Sequence, residues 1–266
     1  YLLGDYDTGR DKFIVTAGGD FNFGPSGPAG VHAPSAAPDG KGGVIVIFNM
    51  NPGKPTAGWN QIMTLPRQLT HDPKDGLNEL TIEPAGDIES LRYDHRHVGA
   101  TNLPANEEVV LKGIGGNAME LIAEIDPKGA PMVELNVLRS PDAQERTRII
   151  FFEGRGYRHR EFGRSHANSR KYSSLISIDS SYSSNLADVK SRAPETAPVL
   201  LAKNEPLKLR VFVDKSVVEV FVNGIQCVAM RVYPGRKDSV GVSLRSQGKD
   251  AVLKSLDAWR MKNIYG

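Results

Sequence analysis

The residues of this sequence whose types and spacing could do chemistry are few and scattered. His95-Arg96-His97 sets two imidazoles at i and i+2, which on a strand point to one face and make half of a metal site. No third Cys, Asp or Glu stands at ligand spacing beside them, so a solvated loop is expected there, and no metal. Two segments, His71-Asp72-Pro73-Lys74-Asp75-Gly76 and Asp126-Pro127-Lys128-Gly129, put Asp-Pro ahead of a Gly. An acid so placed could serve as a nucleophile. The same order is what a surface turn requires, since Asp caps the backbone, Pro fixes φ and Gly takes positive φ, and a turn is expected at both. Glu219 alternates with Val218 and Val220 on a predicted strand, so it faces away from them; a structural hydrogen bond at a domain interface is expected, not catalysis. The single cysteine, Cys227, can form neither an internal disulfide nor a multi-cysteine metal cage. Between Arg155 and Lys171, the basic residues Arg155, Arg158, Arg160, Arg164, Arg170 and Lys171 are interleaved with Tyr157 and Phe162, the most nucleic-acid-like patch in the chain. Against that reading, 33 basic residues balance 31 acidic ones, leaving +2, and no nucleic-acid-binding motif is present. The patch fits a basic loop or a sugar-facing surface, and no nucleic-acid partner is expected.

The elements that must position these groups are strands. Leu207 to Val213 alternates and then becomes a buried β-branched run, Asp214-Lys215-Ser216 turns it, and Val217 to Val222 follows as a second strand. Asn223-Gly224 supplies the two residues tolerant of positive φ that a tight hairpin needs, and Ile225 to Tyr233 returns. Val240 to Leu244 and Val252 to Met261 extend the pattern, so an antiparallel meander is expected over this region. The first ninety residues carry the same grammar with more Gly and Pro, in Phe13 to Ala17, Val44 to Phe48 and Ile62 to Leu65. No stretch sustains helical amphipathicity beyond about two turns, so the fold class is all-β. The longest apolar run, Val44 to Phe48, is far short of the ~20 residues of a membrane-spanning helix, and no membrane partner is expected. The first residues lack a basic n-region and a small-residue cleavage site, and they read as a strand already in progress. Gly99 to Asn106 is polar, rich in small residues and breaks strand alternation. The expected organisation is a first unit over 1–98, a linker over 99–106 and a β-sandwich over 107–266.

Several segments together carry a family resemblance. Gly4-Asp5-Tyr6-Asp7, His32-Ala33-Pro34 with Asp39-Gly40-Lys41-Gly42, Gly58-Trp59-Asn60-Gln61-Ile62-Met63-Thr64-Leu65-Pro66-Arg67 and Glu89-Ser90-Leu91-Arg92 resemble the later propeller blades of glycoside hydrolase family 32, the invertases, levanases and other β-fructosidases. Leu209 to Ser216 followed by Val218 to Gly224 resembles the signature of that family's C-terminal β-sandwich, and Ser255-Leu256-Asp257-Ala258-Trp259-Arg260-Met261 its last strand. The Gly58 to Arg67 and Leu209 to Gly224 segments are the most specific.

The resemblance implies the last blades of a five-bladed propeller, blades four and five, over 1–98, followed by an antiparallel sandwich. It implies retaining hydrolysis of β-fructofuranosyl bonds of sucrose or fructans, with no metal or organic cofactor. That chemistry needs two carboxyl groups about 5–5.5 Å apart, one a nucleophile and one an acid/base. The family's nucleophile motif Trp-Met-Asn-Asp-Pro-Asn-Gly, its Arg-Asp-Pro motif and its Glu-Cys motif do not occur here, since Cys227 follows Gln226. The chain reads as starting in the fourth blade, so no catalytic residue is assigned and the segment alone is expected to be inactive. Two family positions lining the fructose pocket do fall here, and both depart from the usual aromatic residues: His32 precedes Ala33, and Asn49 follows Phe48. An imidazole and an amide would exchange stacking for hydrogen bonding; both residues equally fit polar positions beside a turn. Because two blades leave strand edges open, an N-terminal companion chain or a homo-oligomer is expected. The alternative reading is a non-catalytic carbohydrate-binding or protein-interaction sandwich.

Overall fold

The computed structural model describes residues 1–71, 80–156, 174–202 and 204–264. Strands β1 (Leu2–Asp7) and β2 (Lys12–Gly18) form a hairpin that pairs with no other strand among the described residues. Strands β3 (Val31–Pro38), β4 (Val44–Met50), β5 (Ile62–Met63), β6 (Arg67–His71) and β7 (Leu80–Pro84) make a second antiparallel sheet in the order β3-β4-β6-β7, with β5 beside β4. A short 3-10 turn, Ile88–Leu91, leads into β8 (Arg92–Val98) and β9 (Thr101–Leu103). Then come β10 (Glu108–Gly115), β11 (Ala118–Asp126), β12 (Met132–Arg139), β13 (Thr147–Phe152), β14 (Ser174–Asp179) and β15 (Glu195–Val199). The chain finishes through β16 (Leu207–Asp214), β17 (Val217–Val222), β18 (Gln226–Arg231), β19 (Gly241–Gln247) and β20 (Ala251–Met261).

Two large antiparallel sheets form a sandwich, one ordered β10-β19-β12-β13-β14-β15 and the other β18-β17-β16-β11-β20-β8, with β9 beside β20. Their inward faces meet in one apolar core. Alternation assigns Leu209, Val211 and Val213 of β16, Val218, Val220 and Val222 of β17, and Leu121, Ala123 and Ile125 of β11 to that core, where all are buried against Leu135, Ile149 and Ile176 of the facing sheet. Asn223 and Gly224 take φ of 48° and 68°, the tight hairpin expected between β17 and β18.

The structure corrects two details of connection. The run β16-β17-β18 is a meander, but β19 leaves it and inserts between β10 and β12 in the opposite sheet. Val242 and Leu244 of β19 carry the same period-two pattern as their neighbours, and that pattern fixes which face is buried without fixing which sheet supplies it. The second detail concerns the segment expected as a linker at 99–106. Strand β8 before it and strand β9 within it both pair with β20, so the segment runs inside one sheet of the sandwich.

The second sheet sits on the outer face of β16, β17 and β18. Val31, Val46, Phe48 and Met50 pack on Val217 and Ala229, while Leu80, Ile82 and Ile88 pack on Phe212, Phe221 and Cys227. This explains why β17 is buried at every position. Its even-numbered residues, Val218, Val220 and Val222, fill the sandwich core, and its odd-numbered residues face the first ninety residues of the chain.

Candidate functional site

The two most distinctive sequence segments meet at this junction. Leu65 donates its backbone N–H to Glu219 Oε1 at 2.6 Å, and Arg67 Nη2 donates to Glu219 Oε2 at 3.1 Å, with both side chains almost wholly buried. The Arg67 guanidinium also lies over the Phe48 ring, 4.9 Å from its centroid. Burial pushes the Glu219 carboxyl above its ordinary range, and Arg67 and the Leu65 N–H pull against that rise. Glu219 thus makes the structural interface bond expected of it. Cys227 lies beside this pair; burial pushes its thiol up to about 12, which keeps it protonated and unreactive.

Two more buried arginines join the same regions. Arg192 bonds Glu195 at 2.5 Å and the Pro25 carbonyl at 2.7 Å, while Glu195 accepts the Phe23 N–H at 2.7 Å. Arg231 is held between rings, 4.6 Å from the Trp59 centroid and 5.0 Å from that of Tyr233, whose hydroxyl oxygen accepts the Gly53 N–H. Burial lowers the pKa of Arg231. Sequence alone does not mark Arg192 and Arg231, because a lone Arg in a strand-rich segment carries no signal until the distant groups it meets, the Pro25 carbonyl and the Trp59 ring, are known.

His32 and Asn49 are register partners across β3 and β4, so their side chains share a face, and Asn49 in turn faces the exposed Met63 of β5. His32 Nδ1 is buried without a hydrogen-bond partner among the described residues. Residue Ala33 takes φ 45°, where β3 shifts register, and this turns the following segment away from His32. An imidazole and an amide side by side offer hydrogen bonds to a hydroxyl-bearing ligand. Of the nearby acids, Asp39 accepts the backbone N–H groups of Lys41 and Gly43 and an amide proton of Gln68, and these bonds hold its carboxyl below the usual range. Asp7 caps the Gly9 and Arg10 N–H groups. Both acids serve turns.

The pair His95 and His97 lies on strand β8, not in a loop. Both imidazoles meet one oxygen of Asp257 on the neighbouring β20, at 2.8 and 2.9 Å, and His95 stacks on Trp259. Among the described residues no group of His, Cys, Asp or Glu is arranged to hold a metal ion. The Asp126 to Gly129 turn is as expected, with Asp126 accepting the Lys128 N–H and Gly129 at φ 75°. The second such segment, from Asp72 to Gly76, lies outside the described residues, as does the basic patch from Tyr157 to Lys171. Within the sandwich the sequence concealed Glu145, a buried carboxylate that accepts the N–H groups of Asn185, Gly235 and Arg236 and the hydroxyl of Ser239. Its partners come from loops dispersed over the chain.

Comparison with known proteins places this geometry. The model described as "Glycosyl hydrolases family 32 C terminal" matches residues 87–260. A β-fructofuranosidase of Daucus carota (insoluble isoenzyme 2) is 26% identical over 240 residues, covering 77% of this chain and 38% of that protein. A levanase of Bacillus subtilis (strain 168) is 26% identical over 215 residues, covering 80% of this chain and 29% of its own length. The chain therefore spans well under half the length of these relatives. Among solved structures, fructan 1-exohydrolase IIa from Cichorium intybus superposes with a TM-score of 0.79 at 20% identity, over 99% of this chain and 54% of that one.

Proposed function

The chain belongs to glycosyl hydrolase family 32, and from that membership we propose that it is the C-terminal part of an enzyme that hydrolyses β-fructofuranosyl bonds of sucrose or fructans by a retaining mechanism. In this reading the strands ahead of β8 belong to the last blades of a five-bladed propeller. The junction with the sandwich falls near Ala85–Leu91, earlier than the 99–106 segment, because β8 already pairs with β20. The observation that carries the reading is the Arg67–Glu219 bond, which ties the Gly58 to Arg67 segment to the sandwich signature and seats the first sheet on a defined face of β17. The family relationship of the carrot β-fructofuranosidase and the Bacillus levanase supports the substrate class. A structure of the Cichorium fructan 1-exohydrolase in complex with 1-kestose supports it as well.

His32 and Asn49 are assigned to the fructose pocket, where they hydrogen-bond sugar hydroxyls. The nucleophile and the acid/base come from outside these 266 residues, since the three family motifs that carry them are absent from the sequence. An N-terminal companion, in the same protein or as a separate chain, or a second copy covers the exposed β1–β2 hairpin. Incubation of the chain with sucrose, inulin and levan is expected to release no fructose; turnover at a rate typical of glycosidases, roughly 1 s⁻¹ or more, overturns the assignment. A non-catalytic carbohydrate-binding role is the second reading, favoured by a cleft in the sandwich away from these residues.

A further inference from the structure

Three turns meet at one end of the sandwich and border an open cleft of about 430 Å³. They are the β11–β12 turn at Gly129 to Pro131, the end of β13 at Glu153 to Arg155, and the β19–β20 turn at Gly248 and Lys249. Each is fixed by its own hydrogen bonds. Ala130 N–H donates to the Pro127 carbonyl, Gly154 N–H to Ser174 Oγ, Gly248 N–H to Asn106 Oδ1, and Ser246 Oγ to the Lys249 carbonyl. The walls therefore exist without a ligand. Gly154 sits at φ 60° with open space where a Cβ would stand, so backbone is accessible there.

One atom in this cleft lacks a partner. Glu153 lies near the Gly129 N–H, and its buried Oε2 makes no hydrogen bond among the described residues. Such an oxygen needs a donor, and leaving it bare is costly. Arg155 and Lys249 supply donors on the same walls, and Pro131 supplies an apolar ring edge. Two cations and a carboxylate on one wall offer both hydrogen-bond donors and an acceptor, and little to an apolar ligand. Hydroxyl groups, which donate to Glu153 and accept from Arg155 and Lys249, answer all three.

We infer that this cleft is a secondary site for a hydroxyl-rich saccharide, separate from the face shared by His32 and Asn49. Its natural occupant as a fructan segment rests on the family reading above; the site itself rests on the three turns and the unpartnered oxygen. An occupant here would hold a polymer on the sandwich while its end is processed elsewhere.

The test is an amide NMR titration of the 266-residue chain with a fructo-oligosaccharide, alongside inorganic phosphate. The amides of Gly129, Gly154 and Gly248 are expected to shift saturably, with Kd on the order of 1 mM. Glu153→Gln and Lys249→Ala each weaken that binding about fivefold, the loss of one hydrogen bond, and His32→Ala leaves it unchanged. Glu153→Gln keeps the side chain's size and shape and Lys249 is exposed, so the fold is retained. Absence of those shifts overturns the inference, as do shifts indifferent to both substitutions or shifts given by phosphate and not by the saccharide. Failure of the glycosidase reading would appear instead as fructose release by this chain alone.

Discussion

The sandwich and the region before β8 are built from the same strand grammar, yet they satisfy it differently. The sandwich closes its apolar faces on each other, and Leu121, Val211, Leu135 and Ile176 are almost wholly buried between its sheets. The β1–β2 hairpin leaves Leu2, Phe13, Ile14 and Val15 exposed, and the neighbouring sheet buries one face only by resting on β16, β17 and β18. A unit that fills its own core is stable alone. One that borrows its core is only as stable as the junction, so the buried arginines at that junction set how firmly the first region is held.

The largest way to break this contrast is at Glu219. Glu219→Ala removes the acceptor of two bonds and strands the Arg67 charge in a dry interface, with an expected loss of about 3–5 kcal/mol at the junction. Trp59 reports one region and Trp259 the other, so single-tryptophan variants followed through urea should unfold together in the parent and separately in Glu219→Ala. Coincident transitions in both would mean that the junction does not govern the first region. Core truncation sharpens the comparison at somewhat lower cost. Leu121→Ala is expected to destabilise the sandwich by about 3 kcal/mol. Ile14→Ala on the open hairpin should cost under about 0.5 kcal/mol, and equal losses in denaturant midpoints would refute the difference in self-sufficiency. At the β17–β18 turn, Gly224→Ala forces a side chain into φ 68° and is expected to cost about 1 kcal/mol by thermal melting.

The smallest effect is one of sign. Glu219 has a folded pKa above its unfolded value, so its contribution is greatest below the ordinary carboxylate range and is lost as pH rises through the folded pKa. Glu145 is lowered despite its burial, because Ser239 and the backbone N–H groups of Gly235, Asn185 and Arg236 outweigh it, and Glu108 is lowered chiefly by Arg139. Their contributions are complete above about pH 4.3 and vanish as pH falls through the lowered values. Mild acidification should therefore tighten the junction while the sandwich begins to lose stability only in stronger acid. Glu219→Gln removes the first trend and leaves the second; parallel pH profiles of the two tryptophans would contradict this.

Much of the fold was legible where information is local. Alternation in Leu207 to Val213, the Asn223-Gly224 turn and the outward face of Glu219 all follow from adjacent residues, and all are observed. What local pattern leaves open is the partner. Period two says that Val242 is buried but not against which sheet, and the linker-like composition of Gly99 to Asn106 conceals strand β9, which shares with the preceding β8 a neighbour, β20, about 150 residues on. His95 and His97 found their acid in Asp257 by the same cross-strand route. His32 and Asn49 come forward as candidates through the family resemblance, whereas Glu153 carries no motif and stands out only once its oxygen is seen to lack a partner among the described residues.

The lone cysteine gives the junction a reporter of its own. Because Cys227 is sealed beneath Leu80 and Ile82 and its thiol is held protonated, an alkylating reagent can reach it only when the first sheet lifts from the sandwich. The speed of its labelling therefore counts the openings of that seam, with no engineered probe and no change to the chain.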